Sequence, residues 1–245
     1  MPRIFLPVEN PQETIRIIGE KARYVATVLR CRTGDILTVF NGRGVSYKTV
    51  IASITKREVV SEVVSITKGE AEPSLNLTLI QGLLKGDKMD LVIQKTTELG
   101  ISRVIPVVTE RSQVRSTGKT VRWRKIAEEA SRQSGRVNVP VIYEPLFFED
   151  LFSPDNHHGL PDMVSSLIFW EDGGIRLQDS LGSIGRTDRP LALAVGPEGG
   201  FREDEVRMAE ARGFRTVSLG SRILRAETAA IISIALVQFV LGDLS

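Results

Sequence analysis

The chain has a single cysteine, Cys31, and two histidines, His157 and His158. One cysteine excludes an internal disulfide and a cluster of thiolate ligands, and two neighbouring histidines in a polar stretch fall short of a zinc site, so no metal is expected. Long hydrophobic runs are absent as well. The most apolar segment, Ala229 to Leu241, is shorter than the roughly 20 residues that cross a bilayer and contains Ser233 and Gln238. It reads as a core or interface helix, and no membrane partner is expected. The start, Met1-Pro2-Arg3-Ile4-Phe5, has no charged region followed by an apolar stretch. That points away from a secretory signal and towards a cytoplasmic protein.

A strong excess of charge of one sign is missing too, because the formal net charge is only +2. Its distribution is uneven. Residues 1–70 carry 11 basic and 7 acidic side chains, residues 71–137 carry 12 and 7, and residues 138–245 carry 9 and 16. The densest basic run lies between Arg111 and Arg136. Such asymmetry fits an anionic polymer bound on one side, with a solvated helix face as the plain alternative.

What is present has two rhythms. Up to about residue 70, short apolar runs (Ile36 to Phe40, Val45 to Ile54, Val59 to Ile66) are separated by turn residues, with Asn41-Gly42 the strongest hairpin signal and Lys21 to Leu29 the one helix. This predicts a small β-rich domain over residues 1–70. Gly69, Pro73 and the loss of periodicity around them mark a boundary, and a second domain is expected over residues 74–245. There strands alternate with helices: strand Leu75 to Gln81, helix Asp87 to Leu99, strand Val104 to Val108, helix Val121 to Ser134, strand Leu167 to Trp170, strand Leu191 to Val195, helix Glu203 to Arg212, strand Thr216 to Leu219, then the apolar helix. The class is α/β. The last helix is apolar nearly all round, so it must be covered on every side. A homodimer is expected, with complete burial inside one chain as the rival.

Two loops stand out. Gly196-Pro197-Glu198-Gly199-Gly200 and Leu219-Gly220-Ser221-Arg222-Ile223-Leu224-Arg225-Ala226-Glu227-Thr228 each follow a buried-strand pattern, so both emerge at strand C-termini, where open α/β sheets place ligands. The first lacks the Gly-Lys-Ser/Thr of a phosphate loop, and Glu198 would repel phosphate. A purely structural glycine turn and a backbone cradle for an uncharged-to-cationic ligand, such as an adenosyl group carrying an amino acid, remain open.

The two loops together resemble the signature of the SPOUT class of RNA methyltransferases, and more narrowly the RsmE family, which methylates N3 of a uridine in small-subunit (16S) ribosomal RNA. Further matches run through the chain: Pro2-Arg3-Ile4-Phe5, Val28-Leu29-Arg30, Lys88-Met89, Ile93 to Gly100, Glu110-Arg111-Ser112 and Glu129 to Arg136. Where that family often has a histidine, six residues before Arg30, this chain has Tyr24. The resemblance implies a C-terminal SPOUT-type α/β trefoil-knot methyltransferase domain and an N-terminal PUA-like β-barrel that binds RNA. It also implies S-adenosylmethionine bent among three loops near a dimer interface. Carried onto this sequence, those loops hold Glu171, then Gly196, Pro197, Glu198, Gly199 and Gly200, then Leu219, Gly220, Ser221, Ile223, Leu224, Arg225 and Thr228. The partners implied are 16S ribosomal RNA or the small ribosomal subunit and a second copy of the chain.

For methylation at uridine N3, two services are needed, a base and a cation. Arg225 is the expected cation, with pairing to Glu227 or Glu198 as its structural alternative. Glu227 and Glu198 are the candidate bases, and hydroxide acting on an acidified uridine is the other possibility. Phosphate contacts are expected from Arg3, Arg30, Arg32, Lys85, Arg111, Arg115 and Arg136. The competing functions are an RNA-binding module and a ribosome-assembly factor without catalysis. Neither has use for a paired cofactor cradle.

Overall fold

The computed structural model describes residues 1–9, 11, 13–69, 72–153, 165–185 and 190–244. His157 and His158 lie outside the described residues. The chain forms two compact units, Met1–Glu72 with Ser131–Val139, and Pro73–Ala130 with Pro140–Ser245.

The first unit holds β1 (Arg3–Phe5), β2 (Thr14–Ile18), α1 (Gly19–Thr27), β3 (Ile36–Phe40), β4 (Val45–Ile54) and β5 (Glu58–Lys68). Its five strands run in the order β1-β3-β4-β5-β2; β1 pairs parallel with β3 and the other neighbours are antiparallel. Alternating residues, among them Ile15, Ile17, Leu37, Val39, Ile51 and Val59, meet Ala22 and Val25 of α1 in one core. At Asn41-Gly42 only the glycine takes a positive φ, 75°. Asn41 instead accepts the amides of Arg43 and Val45 through its side chain, which closes the turn without a left-handed asparagine. The nine residues 131–139 cluster here rather than with the second unit, where the sequence pattern put them, because Glu72 holds them. Its carboxylate accepts the amides of Val137 and Asn138 and pairs with Arg136 at 3.0 Å.

The second unit contains β6 (Leu77–Gly82), α2 (Lys88–Glu98), β7 (Arg103–Val108), α3 (Thr120–Ser134, its end belonging to the first unit), β8 (Val141–Ile142), β9 (Leu146–Phe147) and a 3-10 turn (Glu149–Phe152). It continues with β10 (Ser165–Phe169), β11 (Ile175–Arg176), α4 (Leu177–Ile184), β12 (Leu191–Val195), α5 (Glu203–Glu210), β13 (Phe214–Ser218) and α6 (Ala226–Leu241). The sheet runs β11-β13-β10-β12-β6-β7-β8, with β9 also on β7, and every pairing is parallel. Strands β6 and β12 are buried along their whole length, as expected of parallel strands covered on both faces.

Helix α6 packs on α2, α4 and β12. Its buried side is Ala230, Ser233, Ile234, Val237, Gln238 and Leu241. Complete burial within one chain, the rival to a dimer, does not occur. Ile232, Leu236, Phe239 and Val240 form an exposed apolar stripe, with Phe239 63% exposed.

Candidate functional site

Strands β13, β10 and β12 are adjacent and parallel, so their C-terminal ends open side by side. The three loops that leave them enclose a cavity of about 430 Å³. One wall is Phe169, Trp170 and Glu171 after β10; the second is Val195 to Glu198 with Gly200 after β12; the third is Ser218 to Ala226 with Ala229, after β13. Lys88, at the start of α2, closes the remaining side.

The glycines of the second wall are demanded by close approach. A Cβ on Gly196 would sit 3.0 Å from the carbonyl carbon of Gly200, and Gly200 itself holds a left-handed φ of +68° that favours glycine. The wall is anchored from three directions. The buried Gln81 side chain donates from Nε2 to the carbonyls of Gly82 and Gly196. Arg111 Nη1 donates to the carbonyls of Gly199 and Phe201. The amide of Lys85 donates to Glu198 Oε1 at 3.1 Å.

Most sequence-predicted cofactor residues therefore line one cavity. Gly199 and Thr228 do not: Gly199 backs onto Arg111, at 3.0 Å from where its Cβ would be, and Thr228 lies inside the first turns of α6. Arg225 is exposed, lines the cavity and forms the N-cap of α6 in an extended conformation. Among the described residues it forms no ion pair with Glu227 or Glu198, so the structural alternative for Arg225 is not realised. The partner of both glutamates is Lys88, whose Nζ lies 2.9 Å from Glu198 Oε1 and 3.7 Å from Glu227 Oε2.

That pairing bears on the two glutamates expected as candidate bases. Glu198 lines the cavity, but one of its oxygens already takes donors from Lys88 and Lys85. Burial works to raise its carboxyl, while the hydrogen bonds from Lys88, its own amide and the Lys85 amide, with the Lys88 charge, hold it below the ordinary glutamate value. Glu227 keeps a buried oxygen without a hydrogen-bond partner among the described residues, yet it stands beside Lys88 and is not part of the cavity wall. Lys88 itself is pushed up by its hydrogen bond to Glu198, against desolvation, with the two glutamate charges adding and Arg225 opposing.

The pair has a pH signature. A lowered carboxyl contributes stability that is present above the unfolded glutamate value, about 4.3, and lost as pH falls through the folded one. The raised lysine contributes below its unfolded value and loses that only as pH climbs through its folded one. Glu198→Gln is expected to lower the melting temperature by about 2–4 °C near neutrality. The two melting curves should converge in acid, as differential scanning fluorimetry across pH will report.

The predicted phosphate contacts divide. Arg30, Arg32 and Lys85 are exposed. Arg30 also holds a left-handed φ of 54°, the one such value among the described non-glycine residues. Arg111 and Arg115 are exposed at the surface but spend guanidinium donors on backbone carbonyls, Arg115 on those of Thr109 and Glu110. Arg3 is half-buried, donates to the Arg136 carbonyl and lies over the Phe40 ring. Arg136 is 5% exposed and paired to Glu72. A buried guanidinium with its own carboxylate has no free face for RNA. Tyr24, the departure from the family histidine, lies under the Arg132 guanidinium at 5.4 Å.

Lys88 and Trp170 are among the lining residues that the sequence pattern had not marked as cofactor contacts. Trp170 Nε1 is buried in the wall without a partner among the described residues.

An adenosyl-bearing sulfonium fits this chamber on several counts. The volume is that of a cofactor site, and the glycine cradle has no space for added Cβ atoms. Leu219, Ile223 and Leu224 supply apolar contact, and Glu171 and Glu198 supply negative charge for a cationic centre.

Comparison with known proteins agrees. Residues 71–238 match the RNA methyltransferase domain family, and residues 17–64 match the RNA methyltransferase PUA domain family. Ribosomal RNA small subunit methyltransferase E of Bacillus subtilis is 32% identical to this chain, covering 98% of it and 96% of its own length. That of Rickettsia conorii is 35% identical over 88% of this chain and 85% of its own. The crystal structure of a ribosomal RNA small subunit methyltransferase E from Neisseria gonorrhoeae bound to S-adenosyl methionine superposes with a TM-score of 0.88 at 32% identity, covering 100% of both chains.

Proposed function

The chain belongs to the ribosomal RNA small subunit methyltransferase E family, and on that premise we propose that its cavity binds S-adenosylmethionine and serves methylation of uridine N3 in 16S ribosomal RNA. The fold is the SPOUT-type trefoil-knot α/β architecture with an N-terminal PUA-like unit. The observation that carries the proposal is the convergence of three loops from adjacent parallel strands on a single chamber with Arg225 at its rim. An RNA-binding assembly factor would have no need of it.

When bound, S-adenosylmethionine supplies an electrophilic methyl group on a sulfonium. The chain's own part is to hold and orient. Trp170, Leu219 and Leu224 would give the adenosyl group apolar contact, the backbone of Gly196 to Glu198, of Gly200 and of Leu219 to Ser221 would offer it hydrogen bonds, and Glu171 would supply negative charge for the cationic end. Arg225 donates to a uracil carbonyl oxygen, which stabilises the charge that appears when N3 loses its proton. Glu198 is held by Lys88 and the Lys85 amide through one carboxylate oxygen, and the proton leaves to solvent from a uracil made more acidic by the Arg225 cation.

Arg30, Arg32 and Lys85 are the proposed phosphate contacts, since their side chains reach solvent. The left-handed backbone at Arg30 costs about 1–2 kcal/mol for a non-glycine residue, and a glycine there would avoid it. An arginine kept at such a position fits a functional demand. A ribosomal RNA substrate supports a cytoplasmic location for the chain.

A second copy of the chain is the proposed cover for the α6 stripe. The stripe continues towards the cavity through Ala229, and Ile223 on the cavity rim is 88% exposed, so a dimer would shield both. Phe239→Asp should convert a dimer to a monomer in light scattering at micromolar concentration; a parent chain that is already monomeric would refute the dimer. Calorimetric titration with S-adenosylmethionine tests the cofactor reading, with saturable heat expected and a flat trace against it.

A further inference from the structure

Lys88 has surroundings unusual for a surface lysine. It occupies the first turn of α2 and lines the cavity. Glu198 from the glycine wall and Glu227 from α6 flank its ammonium. Of its three donors one meets Glu198, while 3.7 Å to Glu227 is an ion-pair distance beyond hydrogen-bond range. The side chain keeps 37% exposure, so donors remain available on the open side. Arg225 is near enough for its charge to work against the charged form of Lys88. Both cations sit where helix dipoles are already positive, Arg225 at the N-cap of α6 and Lys88 at the first position of α2. Neither helix start has a side-chain cap. Arg225 has no ion pair among the described residues and the Lys88 ammonium keeps donors on its open side, so both can meet an anion that enters the chamber.

We infer that Lys88 is a second catalytic cation, working with Arg225 on the negative charge that uracil develops when N3 loses its proton. The inference rests on the methyl-transfer reading of the cavity. In the step it serves, the N3–H bond breaks and the proton goes to water, leaving charge on N3 and the flanking carbonyl oxygens. The N3 electron pair then forms the bond to the methyl carbon, and the C–S pair stays on sulfur. Glu198 and Glu227 act as positioning residues that hold the Lys88 ammonium at the cavity wall. The charged groups around Lys88 are Glu198, Glu227 and Arg225.

The test compares the parent chain with Lys88→Met and Lys88→Arg, with Lys88→Gln in reserve should the methionine variant misfold by circular dichroism. The first readout is affinity for a small-subunit RNA transcript in which 5-fluorouridine, with its more acidic N3, replaces uridine. The parent should bind that transcript increasingly tightly as pH rises through neutrality. Lys88→Met should lose about tenfold of this gain, and Lys88→Arg should keep most of it. The second readout is calorimetric affinity for S-adenosylhomocysteine, expected to stay within about threefold in every variant, whereas methyl transfer by Lys88→Met falls about 100-fold. Identical pH dependence in the parent and Lys88→Met overturns the inference. So does a tenfold or greater loss of S-adenosylhomocysteine affinity with that dependence intact, which would assign the lysine to the carboxylate of the cofactor. A parent chain that binds the homocysteine product yet transfers no methyl group overturns the functional reading, and the inference with it.

Discussion

Arg225→Ala is expected to lower the rate of methyl transfer about 10²–10³-fold, the usual cost of removing one donor from a site where charge develops, while S-adenosylmethionine affinity stays within a few-fold. The separation follows from its position. The Arg225 side chain is exposed, carries no ion pair among the described residues and caps α6 with its backbone in an extended conformation. A cation at a helix N-terminus opposes the dipole, so its removal should leave stability unchanged or raise it by about 0.3–1 kcal/mol. An arginine retained for folding would behave in the opposite way, destabilising the chain when lost. Arg225→Lys should recover part of the rate and not all of it, because an ammonium cannot reproduce the planar fork that meets a carbonyl oxygen. Single-turnover kinetics alongside thermal melts separate the two accounts.

The second large effect is structural and is expected at a glycine far from the chemistry in sequence. A Cβ on Gly82 would lie 2.4 Å from the nitrogen of Pro197 and 2.8 Å from the carbonyl carbon of Gly196. These are backbone atoms, and no side-chain rotation relieves the contact. Gly82 ends β6 one residue beyond the pair Gln81 and Val195, where β6 and β12 are still in register. The Gln81 amide bonds to the Gly82 and Gly196 carbonyls across the same gap. Gly82→Ala must therefore push the glycine wall off the sheet. A cost of about 1–3 kcal/mol is expected for such overpacking, with a melting temperature lower by about 3–10 °C. Affinity for S-adenosylmethionine should fall more than tenfold, because the displaced wall is one side of the chamber. Calorimetry well below the lowered melting point distinguishes lost binding from lost folding.

Much of this architecture is written locally. The strands Leu191 to Val195 and Leu75 to Gln81 are short apolar runs, and the structure has them within a few residues of where their hydrophobic patterns lie. The helices over Lys88–Glu98 and Thr120–Ser134 follow their apolar stripes and stop at Gly100 and Gly135, both with positive φ. The two glycine-bearing loops come together because both leave parallel strands that flank β10. Strands of two or three residues, β1, β8, β9 and β11, are too short for any period to emerge. Side-chain pairing at long range was not legible at all. Lys88 and Glu198 are 110 residues apart in sequence, and nothing local in either announces the other. Arg136 belonged to a basic run by composition, but its meaning is set by Glu72, 64 residues away. Arg111, expected as a phosphate contact, also steadies the carbonyls of Gly199 and Phe201. Charge density marked where cations gather; only the fold decides which of them are spent on the protein itself.

The measurement that bears most directly on the central claim is mass-spectrometric mapping of unmodified 16S ribosomal RNA and of unmodified small subunits after incubation with the chain and methyl-labelled S-adenosylmethionine. A labelled 3-methyluridine at one position is the result expected, present with the parent and nearly abolished with Arg225→Ala. Binding of S-adenosylmethionine without any labelled uridine in either substrate, or a label carried on another base, would contradict it.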